Sequence, residues 1–239
     1  MASSMQGSAA MMTLRIAPIL AVLLLLVAVA EAAPSEDRIL ALDRYTSDKG
    51  RTLGATYGAT LKQINASIYH CMPWLEVPRE GLGFYKPRDA ARDDRYLSLR
   101  VYIEQEPSTQ FAAMPVEQRA SSMFSRYVGP LLRRLASNRA MLNEGSLDGF
   151  TVILEWLKET PLSGGRPVHE TIAVFLDKAT ALEYLQGMVK PPDLADRARV
   201  YGWDGETPLG RLRLAAWDDN FVSTYKVENY QLAPGVTCQ

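Results

Sequence analysis

Residues that usually carry chemistry are scarce in this sequence. Among its 239 residues, two are cysteines, Cys71 and Cys238, and two are histidines, His70 and His169. Their spacing matches neither C-x-x-C nor H-x-x-x-H, so no metal site is predicted. The chain also lacks a G-x-S-x-G elbow, a Walker A loop and a G-x-G-x-x-G fingerprint. We therefore predict no cofactor and no catalytic residue, and an enzyme is the less favoured interpretation.

An excess of either charge sign is also lacking. Lysine and arginine number 26 against 27 aspartate and glutamate, which gives a net charge of −1. A near-neutral chain has no general attraction for nucleic acids or anionic membranes, so neither is expected as a partner. The hydrophobic fraction of 47% and charged fraction of 22% are typical of a folded domain.

A long apolar run occurs once, near the start. Residues 16–30 read IAPILAVLLLLVAVA; Arg15 is the only charge before them, and small residues follow up to Ala33. This pattern predicts a secretory signal peptide over residues 1–33, and hence a periplasmic or extracellular protein. The run is shorter than the ~20 residues that span a bilayer, and Pro18 weakens it as a helix. An uncleaved membrane anchor is the alternative, and no stable membrane insertion is expected after cleavage.

The two cysteines are expected to form a disulfide. An even cysteine count in an exported protein favours pairing, and Cys71 has only Cys238 as a possible partner. The alternatives are two unbridged thiols, or a catalytic Cys71 with a base from elsewhere in the fold, such as His169. His70 cannot easily be that base, because adjacent residues on a helix point about 100° apart.

The chain after the leader divides into two segments that we expect to pack as one globular unit. Residues 34–95 form an N-terminal helical segment and a loop, and residues 96–239 form an α+β domain. Apolar positions from Leu53 to Ile68 recur every three or four residues, which predicts an amphipathic helix. Residues 76–94, rich in proline, glycine and charge, predict a long loop.

Three glycines, Gly50, Gly54 and Gly58, lie four residues apart on this predicted helix. One interpretation is a glycine zipper in a membrane. Neighbouring charges argue against it, because intramembrane charges are costly. Close packing against a preceding segment is favoured.

Alternating apolar residues predict the strands of the second segment. The predicted strands are 96–105, 149–158, 169–176 and a hairpin around Asp204-Gly205, with helices after Pro115 and Asp177. This order predicts an α+β fold with a mostly antiparallel sheet and helices on one face. The topology expected is a ferredoxin-like βαββαβ core with added N-terminal helices and a C-terminal hairpin.

Arginines recur every seven residues in the helical stretch after Pro115. Arg119, Arg126 and Arg133 are expected on one stripe away from the core, where they could bind an anion or an acidic partner. The alternative is an ordinary solvated helix face. Phe84 and Tyr85 of the predicted loop are the other weak candidates for a binding surface.

Three functional hypotheses follow. The leading one is an exported, non-catalytic binding or scaffolding domain, whose ligand is an unknown protein or small molecule. The second is an exported hydrolase that uses carboxylates without a local motif. The third, a subunit of a cell-envelope assembly, depends on analogy with the predicted topology.

Overall fold

A computed structural model describes residues 34–88, 90–103, 108–159, 167–224 and 237–238. The chain separates into two compact units, 1–33 and 34–239. The predicted signal peptide therefore lies outside the described residues. None of the described helices is both long enough and apolar enough to cross a bilayer.

The elements alternate between helices and strands. Short 3-10 helices at Glu36–Arg38 and Leu42–Arg44 come first. The α-helices are α1 (Asp48–Cys71), α2 (Thr109–Ala112), α3 (Val116–Met123), α4 (Gly129–Leu135), α5 (Arg139–Leu142), α6 (Lys178–Leu185), α7 (Pro191–Arg197) and α8 (Phe221–Thr224), and a π-helix, Phe124–Val128, joins α3 to α4. The strands are β1 (Leu75–Glu76), β2 (Leu82–Tyr85), β3 (Tyr96–Ile103), β4 (Gly149–Glu159), β5 (Val168–Asp177), β6 (Arg199–Asp204) and β7 (Thr207–Arg211).

The seven described strands form one sheet, and most of its pairings are antiparallel. The order is β1-β3-β4-β5-β6-β7, with β2 also paired to β3. Only β3 and β4 are parallel, and helices α2 to α5 connect them, as a parallel pair requires a long crossover. The α+β class is confirmed. The ferredoxin-like topology is not: in a split βαβ unit another strand separates the two parallel strands, whereas β3 and β4 are direct neighbours.

The core lies against one face of this sheet. Leu99, Val152, Val174 and Val200 occupy one register row across β3 to β6, and each is at most 1% exposed. They belong to the same apolar cluster as side chains of α1, α3, α4 and the π-helix. The next register row carries Arg100, Ile153, Ala173 and Tyr201, so the alternation that predicted half-buried strands is present.

The segment predicted as a loop, residues 76–94, is only partly a loop. It contains the end of β1 and the whole of β2, which pairs with β3 from Leu82↔Leu99 to Tyr85↔Tyr96. Pro78 and Gly81 close one short turn and Pro87 and Ala90 close another, while Gly83 lies within β2. The loop prediction is therefore wrong for residues 82–85.

Candidate functional site

A cavity of about 420 Å³ lies between the first described segment and α1. Residues of 36–42 line one side, Gly54, Ala55, Gly58, Leu61 and Lys62 of α1 form what we call its floor, and Arg79 and Glu80 lie at its rim. Small-molecule sites typically have volumes of about 300–1,000 Å³ and mainly apolar walls with a few polar groups. The volume of this cavity lies in that range and its lining surface is mainly apolar, but the cavity is open to solvent along one side and has charged residues in its lining.

Gly58 keeps the floor of the cavity open. Apart from adjacent residues and the nearby helix backbone, a Cβ atom added at Gly58 would have no heavy atom within 4 Å, whereas one added at Gly54 would lie 2.5 Å from Cε2 of Tyr45. Close packing therefore explains Gly54, as the sequence predicts, but not Gly58. A glycine inside a helix costs about 1 kcal/mol relative to alanine. Gly58 follows Tyr57, whose φ of −107° and ψ of 16° kink α1, and it has no tertiary contact that requires glycine.

Most charges at the rim are paired. Glu36 lies 2.5 Å from Lys62, Asp37 lies 3.8 Å from Arg38, and Glu80 lies 3.5 Å from Arg44. The side chain of Arg79 is exposed and makes no ion pair or hydrogen bond with any residue in the described part of the chain. Arg79 is thus the cation of the lining that lacks a carboxylate partner.

Glu80 has a backbone conformation that L-residues seldom adopt. Its φ is 53°, and it is the one described residue other than glycine with a positive φ. The Gly81 N–H donates to the Pro78 carbonyl at 2.9 Å, and the Glu80 N–H donates to the Asp37 carbonyl at 2.8 Å. Glycine is usual at the third position of such a turn. Backbone strain of this kind costs about 1–3 kcal/mol and concentrates at functional sites.

The three arginines of the predicted stripe lie in different surroundings. Arg119 is buried: its guanidinium forms a bidentate ion pair with Glu170, Nε to Oε2 at 2.7 Å. Arg126 is half-buried beside Asp219 and over the ring of Phe221. Arg133 is exposed. The prediction of one exposed stripe is wrong, because the π-helix between residues 124 and 128 changes the helical phase and because Glu170 draws Arg119 into the core.

The two aromatic candidates of the predicted loop are strand residues. Phe84 is fully buried in β2, and its N–H is bonded to the hydroxyl of Tyr45. Tyr85 is partly buried, and its hydroxyl donates to the carbonyl of Glu80. Burial raises the pKa of Tyr85. Tyr85 therefore stabilises the turn at the rim through its bond to the Glu80 carbonyl. Neither ring forms an exposed loop surface.

The cysteines form the predicted disulfide. Cys71 and Cys238 are bonded, with Cα atoms 5.6 Å apart and a sequence separation of 167. The alternative of a catalytic thiol is excluded while the bond is present, because a disulfide sulfur is not a thiolate. His70 makes an edge contact with Tyr69, and His169 lies 3.9 Å from Glu155 and edge-on to Tyr102.

A second polar cluster, at the start of α1, is fully satisfied. The Ser47 hydroxyl donates to Asp93 at 2.6 Å, and the buried Arg95 donates to both Ser47 and Asp93. Lys49 bonds Asp148. The bond from Ser47, with help from Arg95, lowers the pKa of Asp93. Because these groups bind one another, the cluster fastens the start of α1 to the residues that precede β3 and β4.

No group of three or more His, Cys, Asp and Glu side chains suited to a metal ion occurs among the residues described. Comparisons with protein-family models, with curated proteins and with solved structures return no match for this chain. The case for a function therefore depends on the geometry of the chain itself.

The sequence contains one signal of the cavity, the glycines of α1 at intervals of four. Their spacing does not distinguish Gly54, which packs against Tyr45, from Gly58, which does not. Arg79 and Glu80 gave no signal, because a charged turn is typical of any surface.

Proposed function

We propose that this protein is an exported, non-catalytic binding domain and that the cavity between residues 36–42 and α1 is its ligand site. Gly58 is the observation that carries the proposal, since its missing side chain enlarges the cavity and relieves no contact with any part of the chain beyond its own helix neighbourhood. The side chains of Ile39, Leu40, Leu42 and Leu61 suit a small, largely apolar ligand. Leu42 remains 48% exposed beside the cavity, which leaves apolar surface for a ligand to cover.

Export and the absence of catalysis are supported by separate observations. Disulfides such as Cys71–Cys238 persist mainly in oxidising compartments outside the cytosol. The cavity lining contains no serine, cysteine, histidine or tyrosine, so the described residues place no hydroxyl or thiol nucleophile there.

The hydrolase hypothesis remains the second candidate, because three carboxylates line the cavity, those of Glu36, Asp37 and Glu80. Each lies within 4.0 Å of a cation, which favours a structural role at the rim. The hydrolase hypothesis would be favoured over a binding function if the protein hydrolysed chromogenic glycosides or esters and Glu80→Gln abolished that activity. The envelope-assembly hypothesis stays a prediction.

Filling the cavity should remove ligand binding without harming the fold. We expect the wild type to bind the neutral fluorophore N-phenyl-1-naphthylamine saturably, and Gly58→Trp to weaken that binding at least tenfold, about 1.4 kcal/mol. Gly58→Ala should fill less of the cavity and raise the free energy of unfolding by about 0.5–1 kcal/mol, because alanine is the better helix former. Fluorescence titration and urea denaturation measure the two effects.

Gly145 provides the matched control. A Cβ atom there would also meet nothing within 4 Å, but Gly145 lies in a turn away from the cavity lining. Gly145→Trp should therefore bind the fluorophore as the wild type does. Unchanged binding by a folded Gly58→Trp protein would show that the ligand site is elsewhere.

A further inference from the structure

We infer that the ligand of this cavity is a single-chain amphiphile with a carboxylate head group, which Arg79 binds at the rim. The inference rests on the proposed function, because it names the ligand of the same site. It combines an apolar wall, a guanidinium without a partner among the described residues, and a turn that fixes the backbone of Arg79 at the rim.

The charges of the rim favour an anion. Each lining carboxylate has a cationic neighbour within 4.0 Å, and Lys62 is engaged with Glu36 at 2.5 Å. Arg79 alone among the lining cations has no partner in the part of the chain described here. A guanidinium presents five N–H donors in a planar fork that fits a carboxylate with two parallel bonds.

The turn at the rim fixes where the backbone of Arg79 lies. Glu80, the next residue, has a φ of 53°, and two backbone hydrogen bonds close the turn, from Gly81 to Pro78 and from Glu80 to Asp37. The second bond also ties the turn to the segment that walls the cavity. The turn therefore fixes the backbone of Arg79 beside the opening, and its long, exposed side chain can reach a head group that emerges from the cavity.

The apolar wall suits the other end of such a ligand. Ile39, Leu40 and Leu61 line the cavity, and Gly58 lets a chain approach the helix backbone. A linear alkyl chain suits such a lining, because burying it removes apolar surface from water along its whole length, which is favourable in free energy. The carboxylate stays at the rim, where it keeps contact with water and with Arg79.

A cationic amphiphile is the competing ligand. Its attraction would be to Asp37, whose neighbour Arg38 is 3.8 Å away and is shared with Glu76 at 3.1 Å. The observations favour the anion, since Asp37 has a partner and Arg79 has none among the residues that the structure describes.

Three ligands of equal chain length test the head group. Decanoate, decanol and decylammonium compete with bound N-phenyl-1-naphthylamine, and their dissociation constants are compared in the wild type. We expect decanoate to bind about two- to fivefold more tightly than decanol, a modest factor because Arg79 is exposed. The preference should shrink as salt rises from about 0.01 M to about 1 M, where the screening length falls from about 30 Å to about 3 Å.

Variants of Arg79 test whether this residue causes the preference for decanoate over decanol. Arg79→Gln should remove the preference for decanoate and leave decanol binding unchanged, and Arg79→Lys should restore part of the preference. Arg139→Gln removes an equally exposed arginine outside the cavity lining and should behave as the wild type. Because none of these side chains is buried, the variants should fold, which a thermal melt checks.

The outcomes separate this inference from the proposed function. Equal binding of decanoate and decanol, tighter binding of decylammonium, or a preference that survives Arg79→Gln would each overturn the carboxylate assignment. The cavity would still be the ligand site if Gly58→Trp abolished fluorophore binding. Retention of fluorophore binding by Gly58→Trp would overturn both.

Discussion

In urea titrations, the variant Cys71→Ala/Cys238→Ala is expected to lose about 4–5 kcal/mol of the free energy of unfolding. The bond closes a loop of 167 residues, and opening that loop lets the unfolded chain gain a large conformational entropy. Native domains are stable by only about 5–15 kcal/mol, so this loss is a large share of the total.

Reduction of the wild-type protein provides the control for this experiment. Dithiothreitol should lower wild-type stability by about as much as the double substitution does, and should leave the double variant unaffected. Mass spectrometry after alkylation without reduction should find no modified thiol in the native protein. Alkylation of both Cys71 and Cys238 under those conditions would contradict the disulfide. The proposal of export would then depend on the predicted signal peptide alone.

Glu170→Ala is expected to lose about 3–5 kcal/mol of the free energy of unfolding. The Glu170 carboxylate is 1% exposed on its side chain and accepts bonds from Arg119 Nε at 2.7 Å and Trp156 Nε1 at 3.0 Å. The bond to Glu170 also raises the pKa of Arg119, which stays charged. Removing the carboxylate therefore leaves a buried guanidinium without its counter-ion, and the Trp156 N–H without an acceptor.

The double variant Arg119→Met/Glu170→Leu tests whether Glu170→Ala is unstable because it leaves a buried charge unpaired or because it removes side-chain packing. Replacing both charges by apolar groups of similar volume should recover most of the stability, because no uncompensated charge remains. Glu183→Gln is the surface control: Glu183 lies 2.6 Å from Arg197, but both side chains are more than 40% exposed, and such pairs contribute about 0–1 kcal/mol. A Glu170→Ala protein as stable as Glu183→Gln would show that the buried pair is dispensable.

Local patterns predicted much of the secondary structure. Alternation predicted strands at 96–105, 149–158 and 169–176, and the structure has them at 96–103, 149–159 and 168–177. The Asp204-Gly205 hairpin is also present, with Gly205 at a φ of 57°. These predictions succeed because strand alternation and hairpin turns depend on residues that are near one another in sequence.

The candidate site was predicted less well, because its residues come together only in the folded chain. Arg79 comes from a turn, Gly58 from a helix and Ile39 from the first described segment, and no spacing relates them. The arginine stripe failed for a related reason: a period of seven assumes a continuous α-helix, and the π-helix at 124–128 interrupts it.

By itself the sequence determined the fold class, the local elements and the pairing of Cys71 with Cys238, since each follows from a short-range pattern or from a count of two. Tertiary structure alone decided that β3 and β4 are neighbours, that Arg119 is buried against Glu170, 51 residues away, and that Gly58 faces a cavity. Those outcomes depend on which distant surfaces pack together, because burial and ion pairing are set by the whole core and not by neighbouring residues.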